Sequence, residues 1–397
     1  MPGNSPAEGT ELRKDRKMNF NLSEDQKMIR DLIRDFAQNE IAPQARESEA
    51  NATFPRMLIK KLGELGILGM TVDSEYGGME TDYLSLMITI EEISRAHPAI
   101  AVLVSVHCSL FCYAIGKYGT DDQKARYLPA AARGDIFGAF SLTEPGAGSD
   151  VMSLKTKAVR KGDAFVLNGT KNWVSGGGEA AAVIVFAQTD TIPGKKTLSA
   201  FIVDKDTPGF HVSKIEEKMG LHASLTAEIN LEDCRVPKEN LLGMEGKGAS
   251  IAFLCLDGSR IGIAAQSVGL AQKALEEAVA YTHQREAFQK KIAEFQAIQF
   301  MLADMAVLVD ASRLLTYRAA DHYDRGLPYA KEAAMAKLFA SEAANKVAYQ
   351  ALQIHGGYGY SREFLIEQLY RDARVLPIYE GTSEIQRLVI SRYLLQE

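Results

Sequence analysis

The sequence predicts an α+β chain of several domains. An N-terminal helical domain (residues 20–135) is followed by a middle antiparallel, barrel-like β domain (136–245) and a C-terminal four-helix-bundle domain (246–397), behind a short disordered tail (1–19). Three observations carry this reading. Apolar residues recur at helical spacing through the first third. After Gly134 the pattern breaks into short runs rich in β-branched and aromatic residues, and beyond Gly246 long helical periods return. A chain of 397 residues with 46% hydrophobic residues has room for such an arrangement.

In order, residues 1–17 carry Pro, Gly and mixed charge without an apolar run. They read as a disordered tail or as an extension before a start at Met18; no secretory signal fits. Ser23 and Gln26 have capping-box spacing, and Ile29, Leu32, Ile33, Phe36 and Ala37 then share a helical face that Pro43 stops. Helical spacing continues over 58–65, 83–95, 99–117 and 122–132, with a turn at Tyr76-Gly77-Gly78. Residues 99–116 lack formal charge for long enough to raise a membrane span. Ser105, His107 and Ser109 interrupt the stretch and Pro98 and Gly119 bound it, so a buried core helix is expected. Cys108 and Cys112 beside His107 lie in that apolar run without a second ligand cluster and read as buried thiols, not a metal site.

The middle third shows strand runs at 136–142, 155–160, 164–168, 171–174, 182–187, 198–203 and 226–231, with turns at Gly162-Asp163, Asn168-Gly169 and Pro208-Gly209. Strands without intervening helices mean an antiparallel sheet or barrel. No G-x-G-x-x-G follows a strand to open a helix, so a dinucleotide here has to be held some other way. In the last third Phe295, Ile298, Met301, Leu302, Met305, Leu308 and Val309 form one helical face, and 333–354 is a long alanine-rich helix. Bundle packing follows. A net charge of −6 leaves no basic surplus for a nucleic-acid partner.

Residues 375–387 read V-L-P-I-Y-E-G-T-S-E-I-Q-R and set one carboxylate, Glu380, on a bend between Pro377 and Gly381. Ser383 and Gln386 have the spacing of a second capping box, with Ile385, Leu388, Val389 and Leu394 forming a final helix. Flanked by Ile378 and Tyr379, Glu380 is partly desolvated, which raises its proton affinity and suits it to be a base. Local chemistry alone favours a plain surface glutamate in a connecting turn. Residues 140–150, F-S-L-T-E-P-G-A-G-S-D, offer hydroxyls at Ser141, Thr143 and Ser149 and open backbone N–H groups around Gly146 and Gly148, or an ordinary strand-to-turn exit. Asp257 and Arg260 alone read as an i, i+3 surface pair.

I-Y-E-G-T-S-E-I-Q-R resembles the active-site segment of the acyl-CoA dehydrogenases, and the resemblance extends from about Phe20 to the end of the chain. E-Y-G-G at 75–78, the run at 140–150, W-V-S at 173–175, L-D-G-S-R-I-G-I-A-A-Q at 256–266, Q-R-E-A-F at 284–288 and Q-I-H-G-G at 353–357 follow in the family's order. The resemblance implies the helix, sheet, bundle fold and an FAD cofactor. Phe140, Leu142, Thr143, Gly148, Ser149, Trp173, Val174 and Ser175 would contact the flavin, as would Thr382 and Glu384. Arg285, Phe288, Gln296, Gln353, Gly356 and Gly357 would meet its pyrophosphate and adenosine end from a neighbouring subunit. Gln289 stands where the family usually has Gly. Ser149, Leu256, Asp257, Arg260, Tyr379 and Gly381 would hold the acyl-CoA. Glu380 would take the α proton while the β hydrogen leaves as hydride to FAD, giving the 2-enoyl-CoA. No metal is implied.

The final segment and D-G-S-R resemble short-chain, butyryl-type members most, and residues 102–111 would set pocket depth. Electrons would pass to an electron-transferring flavoprotein. An oxygen-using acyl-CoA oxidase, a dehydrogenase for branched or cyclic acyl groups, and a non-catalytic flavin-binding assembly protein are the rival readings. A homotetramer, a dimer of dimers, is implied, without membrane insertion, in the cytoplasm of a bacterium or the mitochondrial matrix of a eukaryote.

Overall fold

The computed structural model describes residues 21–192 and 195–396; the tail expected at 1–19 lies outside the described residues. The first third is helical, with α1 (Glu24–Phe36), α2 (Ala42–Ala50), α3 (Arg56–Glu64), α4 (Tyr83–Ala96), α5 (Pro98–Ser105), α6 (Tyr113–Tyr118) and α7 (Asp121–Ala132). The capping box at Ser23 and Gln26 is present, and Thr120 and Gln123 make a second that opens α7. E-Y-G-G is a turn whose second glycine is obligatory, because a Cβ on Gly78 would lie 1.9 Å from the Val72 carbonyl oxygen.

The span expected as one core helix runs from Pro98 to Tyr118 and widens into a π-helical segment between α5 and α6, Val106–Cys112. Among the described residues two helical stretches, this one and Gly248–Gln284, are long and apolar enough to cross a membrane, and 89% of the most apolar window of the first lies inside the protein. Both His107 ring nitrogens are spoken for: Nε2 meets the Ala131 carbonyl at 3.2 Å and Nδ1 accepts from the Gly138 N–H at 3.1 Å. Burial pushes the Cys108 thiol up to about 12. These groups hold the helix to its neighbours.

The middle region is one sheet of β1 (Gly138–Ser141), β2 (Lys157–Lys161), β3 (Ala164–Val174), β4 (Ala182–Ile192), β5 (Lys195–Asp204), β6 (Phe210–Ile215), β7 (Ala227–Pro237) and β8 (Leu241–Leu242). Its order is β6-β7-β3-β2-β4-β5-β8, with β1 beside β4. Antiparallel pairing dominates, but β1 and the start of β2 run parallel to β4. The expected turn at Asn168-Gly169 is instead a bulge inside β3, where the register against β7 shifts. Asn168 closes it by exchanging two hydrogen bonds with Asp233, at 3.2 and 2.8 Å. Gly169 is there for close approach: a Cβ would sit 2.4 Å from Thr156 Oγ1.

The remainder is a bundle of α8 (Gly248–Gln284), α9 (Gln296–Asp324), α10 (Ala330–His355), α11 (Leu365–Ala373) and α12 (Ser383–Gln396). A two-residue hairpin, β9 (Glu286–Ala287) and β10 (Lys290–Lys291), links α8 to α9. α10 packs on α8, α9 and α12, and α4 packs on the other side of α8. The central α8 is therefore covered on several faces, and residues 258–271 are all buried along it.

Candidate active site

The segment after α11 is built to hold Glu380 in an unfavourable conformation. Glu380 has φ +52° and Gly381 φ +94°, two successive left-handed residues of which only the glycine is at ease. Backbone hydrogen bonds supply the restraint. Lys337 Nζ and Gln386 Nε2 each donate to the Gly381 carbonyl at 2.8 Å, and Gln386 Nε2 also reaches the Glu380 carbonyl at 3.4 Å. The expected capping box at Ser383 is thus corrected. Thr382 caps α12, accepting from the Ile385 N–H at 3.4 Å, and Gln386 turns back to the base turn. Ser383 Oγ and Gln386 Oε1 are buried without a partner.

The turn aims the carboxylate at α8. Ser259, fully buried, donates its hydroxyl to Glu380 Oε2. Arg260 is buried next to it and pairs with Asp257 at 2.5 Å, so this is an interior pair beside the carboxylate, not the surface pair that its spacing suggested. Burial pushes Glu380 up to about 7, against the pull of Lys337 and Arg260. Asp257 is raised by burial, with Arg260 opposing. Tyr379 reaches the same helix about two turns further on, giving its hydroxyl to the buried Gln266. From the far side the 98–118 helix closes on α8. A Cβ on Gly262 would meet Ser105 Oγ at 2.4 Å, and one on Gly258 would meet the Tyr83 hydroxyl at 3.3 Å. That hydroxyl bonds Ser109, inside the 102–111 stretch expected to set pocket depth.

The sheet contributes a second set. The Asn172 N–H donates to the Thr143 carbonyl at 2.9 Å, which puts residues 140–149 directly beside Trp173, Val174 and Ser175. Below them a buried ion pair, Lys171 to Glu144 at 2.9 Å, fastens the loop to β3, with Lys171 also donating to the Leu142 carbonyl at 3.1 Å. Trp173 has φ +60° and its side chain is 56% exposed, although it is the only tryptophan in the chain. Gly146 and Gly148 face open space, as does Ser149.

Two hydrogen-bonded steps join this set to the end of α11, ahead of the Glu380 turn. The Gly176 N–H donates to the Ser224 carbonyl, and the Leu221 N–H of the same loop donates to Asp372 Oδ1 at 2.7 Å, at the end of α11. Glu49 of α2 accepts from the His222 and Ala223 N–H groups, so helical domain, sheet and bundle meet in that loop. An exposed flat aromatic and glycines with free backbone on the sheet side, and separately an open groove of about 360 Å³ beside the Glu380 turn lined by Arg374, Ile378, Thr382, Ser383 and Glu384, are stacking and donor groups of the kind that a flavin nucleotide takes.

Arg285, Phe288, Gln296, Gln353, Gly356 and Gly357 do not join them. All are exposed and cluster at the far end of the bundle, with Arg285 over the Tyr358 ring at 5.6 Å. From Ser259 to Gln284 α8 rises 25 residues, about 38 Å, which separates this cluster from Glu380 within one chain. Phe288 and Gln289 form the hairpin turn with φ +53° and +66°, the geometry of a turn that favours Gly at its second position. Gln289 therefore occupies the glycine position at a backbone cost, with the hairpin intact. Sequence reading passed over Ser259, Gln266 and Lys337. The lone lysine in the apolar run A-A-M-A-K-L-F-A, on the helix face that packs inward, was the available signal for Lys337.

Comparison with known proteins gives the family. Family models described as the acyl-CoA dehydrogenase N-terminal, middle and C-terminal domains match residues 23–135, 139–234 and 246–395. An acyl-CoA dehydrogenase of Bacillus subtilis (strain 168) is 50% identical over 376 residues, 95% of this chain and 99% of that protein. The short-chain-specific acyl-CoA dehydrogenase of Clostridium acetobutylicum is 45% identical, covering 94% and 99% of the two chains. Butyryl-CoA dehydrogenase from Megasphaera elsdenii superimposes with a TM-score of 0.92 at 42% identity, over 95% of this chain and all of the other. A chain from the structure titled electron transferring flavoprotein of Acidaminococcus fermentans reaches 0.94 at 48% identity, over 96% and 100%. An acyl-CoA dehydrogenase complexed with FAD from Bacillus anthracis reaches 0.90 at 37% identity, over 95% of this chain and 68% of that one. With three domain models in sequence and relatives this similar over nearly the whole length, the chain belongs to the acyl-CoA dehydrogenase family, FAD-dependent oxidoreductases.

Proposed function

We propose that this enzyme desaturates a short-chain acyl-CoA to its 2-enoyl-CoA, with Glu380 as the base and an electron-transferring flavoprotein as the acceptor. The observation that carries it is one carboxylate, raised to about 7, held through its turn and aimed at a buried serine on α8. Bound FAD supplies the hydride acceptor. Glu380 takes the α proton on a carboxylate oxygen, and the clamp on its turn fixes that oxygen in advance, which is where positioning lowers the barrier. Ser259 donates to the other oxygen of the same carboxylate, Oε2, while Asp257, Arg260, Leu256, Tyr379 and Gly381 flank the thioester and Ser149 the CoA arm. The Thr143 to Ser149 loop with Trp173, Val174 and Ser175 holds the flavin; Phe140 and Leu142 back it from the sheet, and Thr382 and Glu384 contact it beyond the base.

A short acyl group is favoured by the ring pair Tyr83 and Tyr323, stacked with centroids 4.0 Å apart beside Gly258, one residue from Ser259. Clostridial and mitochondrial short-chain relatives and the butyryl-CoA dehydrogenase structure support the same choice, and the flavoprotein structure supports the acceptor. The reading extends to location: cytoplasm in a bacterium, mitochondrial matrix in a eukaryote. Anaerobic bleaching against a panel of straight, branched and cyclic acyl-CoAs tests it; a straight short chain should bleach fastest, and a preference for a branched or cyclic one would refute the substrate. Rapid peroxide formation without an added acceptor would point to an oxidase instead.

The same geometry supports a reading of the assembly. Arg285 and its cluster sit about 38 Å along α8 from the base, so they serve a flavin only in a neighbouring subunit. α9 presents Phe300, Val307 and Leu314, 61%, 68% and 43% exposed, as an apolar stripe at seven-residue spacing. A homotetramer built as a dimer of dimers is the proposed state, and sedimentation as a monomer would overturn it.

Trp173 gives an independent readout. As the single tryptophan, exposed here and placed on the flavin in this reading, its emission should be strongly quenched when FAD is added to apoprotein. Full flavin uptake with unchanged emission would remove Trp173 from the flavin contact.

A further inference from the structure

Lys337 is fully buried on α10, and the reaction as described makes no use of its charge. It donates to the Gly381 carbonyl at 2.8 Å, one residue beyond the base. The charged groups that face it are Glu380 on the base turn, Arg260 on α8, Glu342 on its own helix and Glu384 on α12. We propose that Lys337 is a positioning residue for Glu380. Its ammonium pins the left-handed Glu380-Gly381 turn, and its charge favours the ionised carboxylate that removes the proton. This rests on the reading of Glu380 as the base.

The argument is first geometric. A left-handed glutamate opposes its own local preference, so something outside the turn has to hold it. Two side chains do so, Gln386 from α12 and Lys337 from α10, and they approach the same carbonyl oxygen. Gln386 is neutral and could pin the turn without altering its charge. A buried lysine is a costly way to donate one hydrogen bond unless its charge also acts. Burial brings Lys337 down to about 7, while Glu380 pulls it upward. Glu380, raised to about 7 by burial, is in turn held down by Lys337 and Arg260. Acid and amine are thus tuned into one pH range, and removing the amine leaves Arg260 alone to offset burial of the carboxylate.

The test is the pH profile of the reductive half-reaction in the FAD-loaded enzyme. It is paired with infrared difference spectra that follow the protonated-carboxyl band abolished by Glu380→Gln. In Lys337→Met both the rising limb and the infrared midpoint should move up by about one pH unit or more, since an opposite charge at this range moves a carboxyl by that order. Below the limb the rate should fall roughly tenfold for each pH unit by which the limb has moved, and it should recover at higher pH. Lys337→Gln keeps a donor without charge, so it should displace the limb as Lys337→Met does even if the latter folds poorly. Lys337→Arg keeps the charge and should return the limb toward the parent. A limb and infrared midpoint left in place in a folded, flavin-loaded Lys337→Gln would overturn the inference. That result is distinct from failure of the base assignment, in which Glu380→Gln itself would still bleach at full rate.

Discussion

Glu380→Gln should give a folded, yellow protein whose flavin fails to bleach when acyl-CoA is added anaerobically, with the rate reduced by on the order of 10³- to 10⁴-fold. The substitution leaves the site's shape alone. The turn is held through the carbonyls of Glu380 and Gly381, which glutamine retains, and the Ser259 hydroxyl still finds an oxygen acceptor. What disappears is the atom that accepts the proton. In the parent enzyme the bleaching rate should rise with pH through about 7, because only the ionised carboxylate is a base and burial has raised it to that value. The residual rate of Glu380→Gln should be flat through that region. Stopped-flow flavin absorbance measures both, and bleaching at the parent rate would end the assignment.

The same raised carboxyl has a thermodynamic signature. A group that binds its proton more tightly when folded stabilises the fold below its unfolded value, here 4.5, and loses that contribution as pH rises through about 7. Glu380→Gln removes the loss. Melting of the apoprotein should accordingly drop less for the variant than for the parent across that window. Lys337 runs in the opposite sense: lowered to about 7 from 10.5, it costs least above 10.5 and most below 7.

How far these features were legible depends on the range over which they are determined. Helix starts with local signals, such as Ser23 with Gln26, formed as read. Ser383 with Gln386 carries the same local signal and did not, because a long-range demand, restraint of Glu380-Gly381, took the glutamine. Asn168-Gly169 reads as a hairpin turn by composition, yet β7 continues the pairing past it and Thr156 supplies the steric reason for glycine. Asp257 and Arg260 have the spacing of a surface pair, and only the packing of α4 and α10 on α8 makes them interior. Ser259 lies in the family-like D-G-S-R run but carries no local sign of its contact, since that is created by a residue 121 positions away. The bend that carries Glu380 was legible because proline and glycine define it within six residues, whereas the role of its carboxylate was implied only by the family resemblance.

The second large effect is expected at the pair beneath the flavin loop. Glu144→Ala should lower stability by about 3–5 kcal/mol, the usual cost of leaving one buried charge unpaired, and release FAD at lower temperature than the parent. Glu144 does more than face Lys171: it accepts the N–H groups of Lys155 and Thr156 at 2.5 and 3.0 Å, so alanine orphans those donors too. Burial opposes its charge, but Lys171 and these donors outweigh burial and hold Glu144 below the ordinary carboxylate value. Lys171→Met should cost less, since Glu144 keeps its backbone donors and a cation that burial has brought down to about 8 is lost. The Lys171 amine carries no burial penalty above 10.5, where it is neutral in both states, and carries the full penalty once pH has dropped through about 8, so near neutrality its removal relieves part of a burial cost. The order of the two variants is therefore the decisive feature. Denaturant midpoints and flavin content give it directly, and a Glu144→Ala protein that unfolds with the parent and keeps its flavin would show that the Thr143 loop is held from elsewhere.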